Sequence, residues 1–262
     1  MMLEQELAEA RAEVQRLTAR INDCVVELQR ARDLEKQSRE TARLATEELQ
    51  QFVYAASHDL QEPLRTISAY AQLLRREYPQ DGQSAEFASL VINGANQMSA
   101  LVRDLLTYSR IRAEANREPL RLGAAVQRAL LVLSDRIRDS GAQVTCGELP
   151  EVFADESQIA NVFERLIDNA IRYHSSEPPA ICISAEEDAE VCTVSVRDNG
   201  PGIEPRFHEQ VFQPFKRLHG KSIEGSGLGL TICRKIVRFH GGEIWVESDG
   251  QHGSTFKFTL PL

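Results

Sequence analysis

No stretch of this chain is built to cross a bilayer, since nothing in it approaches about 18 consecutive apolar residues. Its start, MMLEQELAEA, is acidic and lacks the basic-then-apolar order of a secretory leader. Paired cysteines are missing as well. Cys24, Cys146, Cys182, Cys192 and Cys233 have no short paired spacing, so they read as reduced core thiols, not a disulfide or metal framework. An excess of positive charge is also absent. A net charge of −9 argues against nucleic acid, which needs a basic footprint. These absences place the expected protein in the cytoplasm, with no membrane span and no nucleic-acid partner. At 42% apolar and 26% charged residues, the composition is that of a folded soluble protein. Neither proline nor glycine occurs before Pro63, so nothing interrupts a long N-terminal helix.

That helix has a seam. Every seventh residue from Leu7 gives Leu7, Val14, Ile21, Leu28, Glu35, Ala42, Leu49 and Ala56. The same count from Leu3 gives Leu3, Ala10, Leu17, Cys24, Ala31, Ser38, Ala45 and Phe52. All but Glu35 and Ser38 are apolar and the register never slips, which predicts a parallel two-stranded coiled coil over residues 1–50. At 1.5 Å per residue the rod is about 75 Å long. Glu35 and Ser38 set register, or soften the seam so that the two helices can shift.

Residues 51–112 read as a helical hairpin. His58 falls at a solvent-facing heptad position, beside Asp59 and one turn before Pro63, which should bend the helix. Neutral imidazole is a nucleophile near neutral pH, and Asp59 can orient or accept its ring proton. Leu60, Leu64, Ile67, Ala71 and Leu74 share one face of the first helix. A second helix, from about Ser84 to Ile111, carries Phe87, Leu90, Val91, Met98, Leu101, Val102, Leu105 and Leu106. One hairpin cannot cover this stripe, whereas two can as a four-helix bundle, so a homodimer through coiled coil and bundle is expected.

Residues 113–120 form a polar linker, and 121–262 alternate helices and strands, predicting an α/β sandwich with one helical layer on a mixed sheet. Helices are expected at Ala124–Asp139 and at Glu156–Tyr173, the latter capped by Asp155. Strands are expected near Val144, then at Ile181–Ser184, Val191–Arg197, Glu243–Glu247 and Thr255–Leu260. Motifs for a nucleotide lie among them. ERLIDNAIRYH places Asn169, Arg172 and Tyr173 on one helix surface, where Asn169 suits Mg²⁺ and Arg172 a phosphate. RDNGPGI ends a strand at Asp198, which can accept from adenine's amine, while Gly200 and Gly202 admit a flat ring. GSGLGL, with Gly225, Gly227, Leu228 and Gly229, opens a helix as a phosphate cradle. The spacing fits neither the phosphate loop of nucleoside triphosphatases nor the dinucleotide fingerprint.

Taken in order, these segments resemble the boxes of sensor histidine kinases, particularly the phytochrome-related kind. SHDLQEPL is similar to their H box and NVFERLIDNAIRYH to their N box. VRDNGPGI and GSGLGLTICRKIV are similar to the two G boxes, VFQPFKRL to the F box, and GSTFKFTLPL to the closing strand. The resemblance implies an α+β chain: a dimerisation and phosphoacceptor hairpin, then an ATPase domain of the gyrase, chaperone, kinase and MutL type. It implies ATP and Mg²⁺ as cofactors, His58 as phosphoacceptor and Asp59 as its helper acid. Asn169 would be the metal ligand and Asp198 the adenine reader, with Arg172 and Tyr173 lining the pocket. Phe212 to Gly225 would form a lid, anchored by Phe212 and Phe215, with Arg217 or Lys221 reaching phosphates. A receiver domain of a separate response regulator would take the phosphoryl group. Input would come from an upstream sensor domain or a partner protein, neither recognisable here.

Two positions depart from the family's pattern. Arg165 replaces a frequent first Asn of the N box, and Glu62 replaces the Thr or Asn tied to phosphatase activity. A non-catalytic dimeric scaffold and an ATP-driven clamp are the other readings. The complete pocket set disfavours the first, and the exposed His58 disfavours the second.

Overall fold

The computed structural model describes residues 29, 32, 35, 36, 57, 60–76, 82–111, 116–175, 177–216 and 226–262. The chain divides into two compact units, Met1–Phe52 and Val53–Leu262. In the first, Gln29, Arg32, Glu35 and Lys36 are helical and exposed; the remainder of the expected coiled coil lies outside the described residues. Among the described residues no helix is long and apolar enough to cross a membrane.

The second unit begins with helices α1 (60–76) and α2 (Gly82–Arg110). Their shared seam is made of small and aliphatic side chains. Leu64 and Ala71 are buried on α1, and Ala88, Ile92, Ala95 and Val102 on α2. Much of the predicted apolar stripe, including Leu60, Ile67, Leu74, Phe87 and Leu90, stays exposed in the single chain.

The remaining elements follow as β1 (Glu118–Arg121), α3 (Leu122–Val132), α4 (Ser134–Ser140), β2 (Gln143–Cys146), β3 (Glu151–Ala154) and α5 (Glu156–Arg172). Then come β4 (Ala180–Glu187), β5 (Val191–Asp198), α6 (Gly229–Phe239), β6 (Ile244–Glu247) and β7 (Thr255–Pro261). The main sheet runs β2-β4-β5-β7-β6, parallel only between β2 and β4. Alternation dictates which face of this sheet is apolar. Ile181 and Ile183 of β4, Val194 and Val196 of β5, and Phe256, Phe258 and Leu260 of β7 are all buried. Against them α5 packs Ile159, Val162, Phe163, Leu166 and Ile167, and α6 packs Ile232, Ile236 and Val237. Phe163 meets Phe258 edge to face at 5.7 Å between ring centres.

Two expectations are corrected. The linker assigned to 113–120 runs into a strand, because Glu118–Arg121 pairs antiparallel with Glu151–Ala154 as a separate ribbon. Pro119 fits there because a two-stranded ribbon leaves room for a residue without an N–H. The helix expected over Ala124–Asp139 is two helices, starting at Leu122 and broken at Leu133. The break turns Leu133 into the core while Leu131 and Val132 stay outside.

Candidate functional site

A cavity of about 730 Å³ opens where α5, the end of β5 and the start of α6 meet α2. Sequence motifs far apart in the chain converge on its wall. Asn169, Arg172, Tyr173, Asp198, Gly202, Gly227 and Gly229 all line it. Helical periodicity explains the first set. The apolar side of α5 is held in the core, so Asn169 and Arg172 are carried half-buried to the edge of the helical layer. Asp155 starts this helix as expected, its Oδ1 accepting from the Gln158 backbone N–H at 3.0 Å.

Asp198 closes β5 with its carboxylate turned in. Oδ1 accepts from the backbone N–H groups of Gly200 at 2.9 Å and Ser254 at 3.0 Å. Burial pushes the Asp198 carboxyl above its ordinary 3.8, only partly offset by these two donors. The neighbouring glycines are needed where backbone segments approach closely. A Cβ on Gly200 would collide with the Tyr173 carbonyl oxygen, and Gly202, at φ +82°, is pressed against the backbone of Gly250 and Gln251. Both admit other backbone; Gly202 lines the cavity and Gly200 does not. Leu228 also stands behind the wall; it is buried and donates its N–H to the Ser226 hydroxyl at 3.1 Å.

Arginines and a lysine also line the cavity, interleaved with carboxylates. Arg172 pairs with Asp168 Oδ2 at 2.7 Å, and Arg136 of α4 bonds the other oxygen of the same carboxylate. Arg165, Arg103 and Lys216 also line the cavity. Sequence reading did not single out Arg136, Arg103 and Asp104, which no local motif signals, nor Lys216 and Ser226, which lie inside VFQPFKRL and GSGLGL.

Phe212 anchors the loop that follows. Its ring is buried edge-on against Phe256 at 6.4 Å, and its carbonyl accepts from Thr231 at 3.0 Å. Phe215 does not anchor with its ring, which is 64% exposed. Its backbone sits at φ +62°, uncommon for a side-chain-bearing residue, and donates to the Gly227 carbonyl at 3.0 Å. His58, Asp59, Arg217, Lys221 and Gly225 lie outside the described residues.

An acceptor carboxylate, cations, a glycine-rich helix start and this volume, together in one cavity, suit an adenine nucleotide. Among the described residues no cluster of three His, Cys, Asp or Glu could cage a metal by itself. Asn169 offers a single hard oxygen, which fits Mg²⁺ held mainly by phosphates and water.

Comparison with known proteins agrees. Residues 154–262 match the family described as histidine kinase-, DNA gyrase B- and HSP90-like ATPase. Residues 48–114 match the His Kinase A phospho-acceptor domain. Cyanobacterial phytochrome A of Nostoc sp. strain PCC 7120 is 41% identical over 237 residues, covering 87% of this chain and 31% of that protein. The adaptive-response sensory kinase SasA of Synechocystis sp. strain PCC 6803 is 32% identical, covering 81% and 59%. Histidine kinase ThkA, solved in complex with response regulator protein TrrA, superposes with a TM-score of 0.58 at 25% identity, covering 80% of this chain and 61% of that one. Full-length ShkA in complex with AMPPNP has the same fold, with a TM-score of 0.63 at 22% identity over 80% of this chain and 45% of that one. The chain thus spans about a third of the length of the cyanobacterial phytochromes it matches.

Proposed function

The chain belongs to the sensor histidine kinases, whose phospho-acceptor and ATPase domains it carries, and we propose that it phosphorylates His58 from ATP. One observation carries this reading. The N-box residues, the Asp198 turn and the glycine-rich start of α6 form a single cavity that also takes in α2, the second helix of the hairpin that bears His58. In the reaction an imidazole nitrogen of His58 attacks the terminal phosphorus of ATP. A nitrogen–phosphorus bond forms, the bond to the bridging oxygen of ADP breaks, and Asp59 takes or orients the proton on the ring. Asp198 reads the adenine amine, Arg172 and the Gly227–Gly229 backbone hold phosphates, and Asn169 holds Mg²⁺. The metal's chemistry is neutralisation of phosphate charge. Positioning and electrostatics carry the rate, as in phosphoryl transfer generally. The phosphoryl group then passes to an aspartate on a separate receiver domain, a partner class supported by the ThkA complex. The acting unit is a homodimer.

The test is incubation of the purified chain with γ-labelled ATP and Mg²⁺ beside His58→Gln and Asn169→Ala. Acid-labile, base-stable label on the wild type and on neither variant is the expected result. Label persisting on His58→Gln places the acceptor elsewhere and refutes the proposal.

A further inference from the structure

The phosphate end of the cavity already holds an anion, and it belongs to the protein. Asp104 of α2 reaches across to α5 and to the glycine-rich loop. Its Oδ1 accepts from Arg165 Nη2 at 2.8 Å, and its Oδ2 accepts from the Ser226 hydroxyl. Both Asp104 and Arg165 are only 17% exposed at the side chain. Arg165 is aimed from behind, its Nε donating to Asn161 Oδ1 at 2.7 Å one turn earlier on α5. Its Nη1 lies 3.8 Å from where a Cβ of Gly229 would sit, at the first residue of α6. The Ser226 hydroxyl is fixed in turn by the Leu228 N–H. A guanidinium and a hydroxyl thus hold one carboxylate, and both lie close to a helix start, a donor set that also recognises phosphate.

We infer that Asp104 is an internal competitor for the nucleotide's phosphates, a residue that sets the affinity of this site for phosphorylated over unphosphorylated ligands. The inference rests on the nucleotide reading of the cavity. Arg165 and Ser226 cannot give the same hydrogens to Asp104 and to a phosphate. A phosphate that takes the Ser226 hydroxyl hydrogen and the Arg165 Nη2–H displaces Asp104 from both, and a ligand without phosphates does not. Arg165 belongs to this exchange because its guanidinium supplies the positive charge that the Asp104 carboxylate now holds.

The experiment is calorimetric titration of the full chain, and of its Asp104→Asn and Asp104→Ala variants, with ATP, ADP and adenosine. Thermal melts confirm that each variant is folded. Freed of its competing carboxylate, the site should bind ATP about tenfold more tightly in both variants, the scale of one charge-assisted hydrogen bond. ADP should gain less and adenosine nothing. ATP affinity that is unchanged or weakened in both variants overturns the inference while the nucleotide reading stands. Equal gains for ATP and adenosine also overturn it, because they report general loosening and not competition for phosphate. If neither wild type nor variants bind any adenine ligand, the nucleotide reading fails and the inference falls with it.

Discussion

The environment of Asp198 disfavours the charge on its own carboxylate. Burial raises its pKa above 3.8, so the folded chain holds this proton more tightly than the unfolded chain does. The sign follows from linkage. Asp198's contribution to stability is greatest below pH 3.8 and is lost as pH rises through its raised folded value. Above that raised value the site carries a buried carboxylate, the group to which the proposed function assigns the adenine amine. Asp198→Asn keeps an oxygen for the Gly200 and Ser254 N–H groups and removes the charge. The variant should melt above the wild type at pH 7, lack this part of the pH dependence, and bind ATP at least about tenfold more weakly. Melting curves from pH 3.5 to 8 and a nucleotide titration check this. A variant that melts lower and binds ATP normally contradicts the assignment.

Among the elements, α5 and α6 are tied to the strand leading into the domain by a buried clamp. His240, 2% exposed at the end of α6, donates Nδ1–H to the Ile236 carbonyl at 2.9 Å, and its Nε2 accepts from the Asp155 N–H at 3.1 Å. Asp155 caps α5 and accepts from Asn116 at 2.7 Å, while Arg117 lies 4.5 Å over the Phe239 ring. Burial lowers the His240 pKa; its bond to Ile236 and the Asp155 charge oppose this, and Arg117 adds to it. A lowered histidine pKa gives stability that is full above pH 6.5 and lost as pH falls below it. Melting temperature should drop from pH 7 to 5.5. His240→Asn should cost about 1–3 kcal/mol and flatten that slope, measured by denaturant unfolding at both pH values. Periodicity foretold α5 and β7 because their patterns are local. It was silent about His240, whose partner Asp155 lies 85 positions away, and about Asp104, 61 positions from Arg165. The short strand EPLR carries a proline and no alternation, so β1 was invisible until β3 paired with it.

For the whole molecule, the exposed face of the hairpin decides the assembly. Leu60, Ile67 and Leu74 repeat every seven residues along α1, and Phe87 and Leu90 lie exposed on α2. The hairpin buries Leu64, Ile92 and Val102 with Ala71, Ala88 and Ala95 in its own seam and leaves Leu60, Ile67, Leu74, Phe87 and Leu90 outside. That division suits a second hairpin packing on the first, because water against so broad a stripe is unfavourable. The wild type is expected to run at twice 29.4 kDa by light scattering. Ile67→Glu combined with Leu90→Glu would place carboxylates inside the bundle, where desolvation is unfavourable and no opposite charge is supplied. The effect is read as affinity: the dimer dissociation constant should rise at least about tenfold on the dilution series. ATP binding should persist, because neither residue lines the nucleotide cavity. An unchanged dissociation constant would mean that this face is not the bundle interface. Loss of ATP binding together with the dimer would mean that the cavity depends on the second chain.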